Sequence, residues 1–259
     1  MRYTKALLWF FACVAILFLL SHIAVLYPIP SMFILIVFSL TLLILVHTKI
    51  IAPFQRMVFT TAKIISMIIP SALILIIYYD LFGSAEFWLL LVLILLAINI
   101  FEATIVDLKN KFYFNAATGL VLIVCVPLYV RLYWISPLIL IGPDAVIYWI
   151  IAYTLWNFNF VRNNFNPEKT LLHALILTAS IVYIFIFSNI SLWFFVRAST
   201  LMFIMNLYYT VDEKNIIPEY WYDAYTKIKP VYTNYINNTP QLIIAIINIT
   251  LCIIGLLKS

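Results

Sequence analysis

From Ala6 onward the chain is a series of long apolar runs, each broken by a few polar residues or a proline. A helix needs roughly 20 apolar residues to cross the core of a bilayer. Runs of that size fall at 6–27, 31–51, 57–79, 86–107, 113–135, 144–162, 170–188, 191–211 and 240–257. The expected fold is all-α, a polytopic transmembrane helix bundle of about nine spans in a single domain. The breaks agree with it. Tyr27-Pro-Ile-Pro30 and Ile135-Ser-Pro137 cannot continue a regular helix, and Asn166-Pro-Glu-Lys-Thr170 is a helix start signal.

Composition removes the soluble alternatives. Hydrophobic residues make up 66% of the chain and charged residues 10%, with a mean hydropathy of +1.11, whereas a soluble domain is roughly 45–50% apolar and 25% charged. The run from Ala6 to Tyr27 exceeds the apolar part of a signal peptide and reads as an uncleaved first helix. The net charge of +5 is explained by the bias of Lys and Arg toward cytoplasmic loops, so no nucleic-acid partner is expected. With the N-terminus in the cytoplasm, Arg2, Lys5, Lys49, Arg56, Lys63, Lys109, Lys111, Arg162, Lys169, Lys214, Lys227 and Lys229 lie on that side, leaving Arg131 and Lys258 outside and Arg197 within the membrane. Residues 212–239 mix Tyr220-Trp-Tyr222, Tyr225, Tyr232 and Tyr235 with lysines, the signature of a cytoplasmic interfacial loop. Cys13, Cys125 and Cys252 are far apart in apolar runs, which suggests neither a disulfide framework nor a thiolate metal site. The expected location is a cell membrane, and the lipid bilayer is the first partner.

Polar groups inside hydrocarbon are costly and so point to function. Asn99 and Glu102, at i and i+3, share a face of the fourth span, with Asp107 at its cytoplasmic end. Asn115, Asn157 and Asn206 lie at a similar shallow depth, about one and a half turns below the surface. If these faces converge, they line a polar vestibule open to the cytoplasm. An intramembrane asparagine also serves simply to bridge helices by hydrogen bonds. Arg197 sits about two turns into the eighth span, where a guanidinium either snorkels outward or binds an anionic group. Three scattered histidines, His22, His47 and His173, give no zinc pattern, and no cofactor is indicated.

Ala97-Ile-Asn99-Ile-Phe-Glu102-Ala-Thr-Ile-Val-Asp107, Asn115-Ala-Ala-Thr-Gly119, Trp149-Ile-Ile-Ala-Tyr153-Thr-Leu-Trp156-Asn157-Phe and Arg197-Ala-Ser-Thr resemble the motifs of an uncharacterised bacterial family of multispanning membrane proteins, a domain of unknown function. The resemblance runs over roughly residues 95–210 and leaves the N-terminal third unmatched. It implies importance for Asn99, Glu102, Asp107, Asn115, Trp156, Asn157 and Arg197 and a bacterial inner membrane, without a reaction.

Two functions follow from these residues. The first is a small-solute or ion transporter whose cytoplasm-facing cavity is lined by Glu102, Asn99, Asn115, Trp156 and Asn157, with Arg197 as outer gate. The second is a membrane-embedded enzyme acting on a lipid or isoprenoid at the inner leaflet, with Glu102 as acid or base and Asp107 and Glu102 sharing a divalent ion. Both require Glu102, Asn115 and Asn157 to face one space.

Overall fold

The computed structural model describes residues 2–48, 68–69, 71–210, 217–222 and 239–259. The chain is mostly helical. In order come α1 (Arg2–Leu26), α2 (Pro28–His47), α3 (71–78), α4 (Ala85–Lys109), α5 (Tyr113–Tyr129), a two-stranded hairpin of β1 (Arg131–Ile135) and β2 (Leu138–Gly142), α6 (Val146–Asn164), α7 (Pro167–Ile186), a 3-10 turn (Ile190–Leu192), α8 (Trp193–Thr210) and α9 (Thr239–Lys258). Most of the expected third span and most of the expected loop at 212–239 lie outside the described residues.

Among the described residues, five helices are long and apolar enough to cross a membrane: Thr4–Leu26, Pro28–Leu45, Ala85–Lys109, Pro167–Ile186 and Gln241–Lys258. Many large apolar side chains on their outer faces are exposed, among them Leu8, Phe33, Leu90, Phe185 and Ile246. Such a surface is consistent with a membrane protein, whose outer shell is solvated by lipid rather than water.

Local signals explain most helix ends. Only Tyr27 separates α1 from α2, because Pro28 occupies the first helical position, where its missing N–H costs nothing. Ser84 caps α4 by accepting from the Phe87 amide, and Asn166 caps α7 by accepting from the Lys169 amide at 3.0 Å. At its far end α4 stops in a Schellman turn. Lys111 takes a left-handed conformation (φ 65), its amide bonds the Leu108 carbonyl at 3.1 Å, and the Phe112 amide reaches back to the Asp107 carbonyl at 2.8 Å. This turn brings the start of α5 beside the end of α4.

One expected span is corrected. The helix that begins at Tyr113 ends at Tyr129 rather than at 135, and the remaining apolar residues form β1. Two features account for this. The Arg131 guanidinium folds back onto the carbonyls of Pro127, Leu128 and Val130 at 3.0–3.3 Å, satisfying the end of α5. Beyond it, Arg131-Leu-Tyr-Trp-Ile135 and Leu138-Ile-Leu-Ile-Gly142 pair antiparallel across the two-residue turn Ser136-Pro137, a hairpin of β-branched and aromatic residues.

The interior has two main apolar clusters. One joins α1, α2, α3, α7 and α8 through residues such as Leu17, Met32, Leu175 and Phe195, and the other joins α4, α5, α6 and α9 through Ile100, Leu122, Ile150 and Cys252. The hairpin closes the end between them, since Ile139 belongs to the first cluster and Ile141 to the second. α6 and α8 therefore face each other across a seam.

Gly119 on α5 lets three helices close up. A Cβ there would strike the Thr104 hydroxyl of α4 and come within 3.1 Å of Trp156 Nε1 on α6. Gly119→Ala is expected to destabilise the bundle by about 1–3 kcal/mol, the usual cost of overpacking, measured as a lower thermal midpoint in detergent or nanodiscs.

Candidate functional site

The described polar interior has two centres along α6, one reaching its C-terminal end at Asn164 and one around Tyr153 near its middle. The first is built on Asp107, which is fully buried. Its Oδ2 accepts from Asn115 Nδ2 at 2.7 Å and its Oδ1 from Asn164 Nδ2 at 2.7 Å, while Asn110 Nδ2 donates to Asn164 Oδ1 at 2.6 Å. Trp156 Nε1 donates to the Asn115 carbonyl at 3.0 Å. Each oxygen of the carboxylate thus has a short amide donor, the condition for holding a carboxylate away from water. The arrangement staples α4 to α5 and α6. Asn115 and Trp156, expected to orient a substrate, spend their side-chain N–H groups within this staple.

Glu102 and Asn99 are not part of it. Both are exposed on the outer face of α4, whereas Ile100, Ala103, Thr104 and Asp107 form its buried face. The angular spacing explains the split. Residues 103 and 107 lie one turn apart, and residue 102 is about 100° away from 103 around the axis. A common vestibule of Glu102, Asn115 and Asn157 is therefore absent, and with it the shared space that both expected functions required. Glu102 and Asp107 point to different sides, so they do not share an ion.

The second centre lies in the seam beneath the hairpin. Arg197 on α8 is buried, with 9% of its surface exposed, and its guanidinium lies against the Tyr153 hydroxyl of α6. Asn157 Nδ2, one turn along α6, donates to the same hydroxyl at 3.1 Å. The rings of Trp149 and Tyr153 stack at 5.1 Å, and Trp193 stands edge-on to both, at 6.0 and 5.4 Å. Trp149 is anchored by its indole N–H on the Leu122 carbonyl at 3.1 Å. Around this cluster Ser180 and Thr200 join α7 to α8 at 3.2 Å, and Ser39 donates to Asn206 at 3.0 Å, joining α2 to α8.

The second centre has an excess of donors. Arg197 Nε and Nη1 and Trp193 Nε1 are buried without a hydrogen-bond partner among the described residues. Arginine keeps its charge in proteins and has no acceptor atom, and an indole N–H can only donate. Trp193 and Arg197 sit at i and i+4, on one face of α8. Nothing described answers them with a carboxylate. Such a set is suited to an acceptor with negative charge, a carboxylate or an oxyanion.

Sequence reasoning singled out Arg197, Asn157 and Asp107, yet missed Trp193, Asn164 and Asn110. Asn110 just after α4 and the run Asn163-Asn164 at the end of α6 were signals for the last two: amides at helix ends beside a buried carboxylate. Cys125 and Cys252, 127 positions apart in the sequence, come together as free thiols between α5 and α9.

Asp107→Ala removes the shared short acceptor of Asn115 and Asn164 and leaves Asn164 only the Phe160 carbonyl at 2.9 Å and Asn115 only the distant Trp156 carbonyl at 3.5 Å, an expected loss of about 1–3 kcal/mol. A double-mutant cycle of Asp107→Ala with Asn115→Ala is expected to give a coupling of about 1–3 kcal/mol in unfolding free energy. Glu102→Gln, on the outer face, is expected to stay within about 0.5 kcal/mol of the parent in the same assay.

Residues 110–258 match the profile described as Family of unknown function (DUF5692). The match takes in Asn115, Trp156, Asn157 and Arg197 and extends through α9, and it begins after Asn99, Glu102 and Asp107. No curated protein and no solved structure matches the chain.

Proposed function

The chain belongs to that family of unknown function, and on this premise we propose that it is a multi-pass carrier that binds a small anionic solute at Arg197 and moves it across the membrane. The observation that carries the reading is the buried guanidinium whose Nε and Nη1 have no partner among the described residues. Burying a charge without a partner is among the most expensive things a fold can do. A ligand that supplies the missing acceptor converts that cost into affinity and selectivity for anions.

Transport, rather than binding alone, is favoured by the layout of α6. Tyr153, Asn157 and Asn164 stand at i, i+4 and i+11, within about 40° of one another around the axis. They form a polar stripe of about 16 Å leading from Arg197 toward Asp107. An anion leaving the guanidinium meets the Tyr153 hydroxyl and the Asn157 amide, and the stripe ends at Asn164, whose amide is held by Asp107. The hairpin covers the Arg197 end, burying its own Ile139 and Ile141 against the helices, and serves as the gate on that side.

The topology of this proposal is about nine spans with a cytoplasmic N-terminus, which puts the Asp107 staple on the cytoplasmic side and the hairpin outside. The staple supports the alternation, since it joins the end of α4, the start of α5 and the end of α6. Asp107, Asn115 and Trp156 then hold the inner end of the path in shape and do not contact the solute.

The test is a thermal-shift screen in nanodiscs with sodium phosphate, sulfate, acetate and succinate against chloride at matched ionic strength. At least one anion is expected to stabilise the native protein, by about 2.7 kcal/mol at a hundredfold excess over its Kd, to stabilise Glu102→Gln equally, and to leave Arg197→Gln unmoved. The same anion should then enter proteoliposomes. No shift from any anion, in the native protein or in Glu102→Gln, would overturn the reading and make Arg197 a purely structural burden.

A further inference from the structure

A second chemically distinctive place lies on the opposite side of α5, against α9. Cys125 and Cys252 are free thiols, 5% and 1% exposed, that lie side by side between α5 and α9 and line one groove. The Tyr129 hydroxyl packs against Cys125 and has no nitrogen or oxygen partner among the described residues. Gly255 admits that ring, since a Cβ there would come within 2.6 Å of the Tyr129 oxygen. The two sulfurs form part of the lining of an apolar groove of about 280 Å³. Its rim is Leu120, Val124, Leu128, Ile253 and Leu256, all exposed on the outer surface of the bundle. The groove therefore opens sideways, toward lipid.

We propose that Cys125 and Cys252 are a redox-active dithiol that closes to a disulfide between α5 and α9, oxidised through this groove by a bilayer-soluble quinone. The chemistry of the place selects that class of oxidant. The approach is lined by hydrocarbon, so a charged oxidant would have to shed its hydration to reach the sulfurs. A benzoquinone partitions into lipid and accepts the two electrons and two protons that a dithiol gives up. Cys125, the more exposed thiol, adds to a ring carbon, forming an S–C bond while its proton passes to a quinone oxygen. Cys252 then attacks the Cys125 sulfur. The S–S bond forms, the S–C bond breaks with its electron pair on the ring, and the second proton completes the quinol. One dithiol and one quinone become one disulfide and one quinol, the usual course of exchange through a covalent intermediate at sulfur. The product ties α9 to α5 and holds closed the outer wall beside α6.

The test uses the full chain, reduced and in nanodiscs, exposed to a decyl-substituted 1,4-benzoquinone. After denaturation, free thiols are blocked with N-ethylmaleimide and the peptides are read by mass spectrometry. Cys125 and Cys252 are expected in one disulfide-linked peptide pair with Cys13 alkylated, and one quinol should appear per protein. Cys125→Ser and Cys252→Ser should each lower quinol formation to that of empty nanodiscs, with circular dichroism confirming that each variant is folded. Alkylation of all three cysteines in the quinone-treated native protein would overturn the proposal. So would a disulfide formed only with the charged oxidant tetrathionate and not with the quinone, because the sulfurs would then be reached from water.

Discussion

A guanidinium that keeps its proton, buried among groups that mostly donate, is the constraint on which the rest of this structure turns. Arg197 cannot be neutralised, and the hydroxyl of Tyr153 is the acceptor it meets among the described residues. The neighbouring indoles and amides compound the demand. Trp193 adds an unanswered N–H, and Asn157 competes for the same hydroxyl oxygen. A bundle that merely needed to pack would be more stable with a leucine at position 197. Retaining the charge makes sense if something negative visits it.

The scaffold is arranged around that demand. The seam between the two apolar clusters is where α6 and α8 face each other through long side chains rather than close backbone contact. Trp149, Tyr153 and Trp193 fill it with rings and hold Arg197 in place. At the far end of α6 the opposite solution appears. Asp107 is just as buried, yet each of its oxygens is met by an amide, so that centre is closed and structural. α6 thus borders a satisfied anion, Asp107 of α4, at its C-terminal end and an unsatisfied cation, Arg197 of α8, near its middle. The difference between them is what separates a staple from a binding site.

Much of this was legible in the sequence, and the reasons for the rest are physical. Apolar runs mark α1, α2, α4, α7 and α9 because hydrocarbon demands length and hydrophobicity, which composition reports directly. The hairpin was hidden because Arg131–Gly142 is as apolar as a helix continuing past Tyr129. The pairing of its two halves is visible only through β-branched residues on either side of Ser136-Pro137. Depth along α4 was readable, and direction was not. Glu102 stands out by its charge, but the helix is apolar almost all round, so no polar face indicates which side meets lipid and which meets α5. The choice between Glu102 and Asp107 was made by Asn115 and Asn164, which lie on other helices. The contact of Cys125 with Cys252 depends in the same way on how α9 returns to α5. Arg197 was conspicuous because a cation in hydrocarbon needs a reason wherever its helix points.

The most direct test of the central claim is the Nε–H resonance of Arg197 in protein selectively labelled with nitrogen-15 arginine, assigned by its loss in Arg197→Gln and followed through an anion titration in nanodiscs. The account predicts a resolved, slowly exchanging signal that shifts saturably with the bound anion and not with chloride at equal ionic strength. A signal broadened by rapid exchange with water and indifferent to every anion would mean that the guanidinium snorkels to the surface, and the binding site proposed here would not exist.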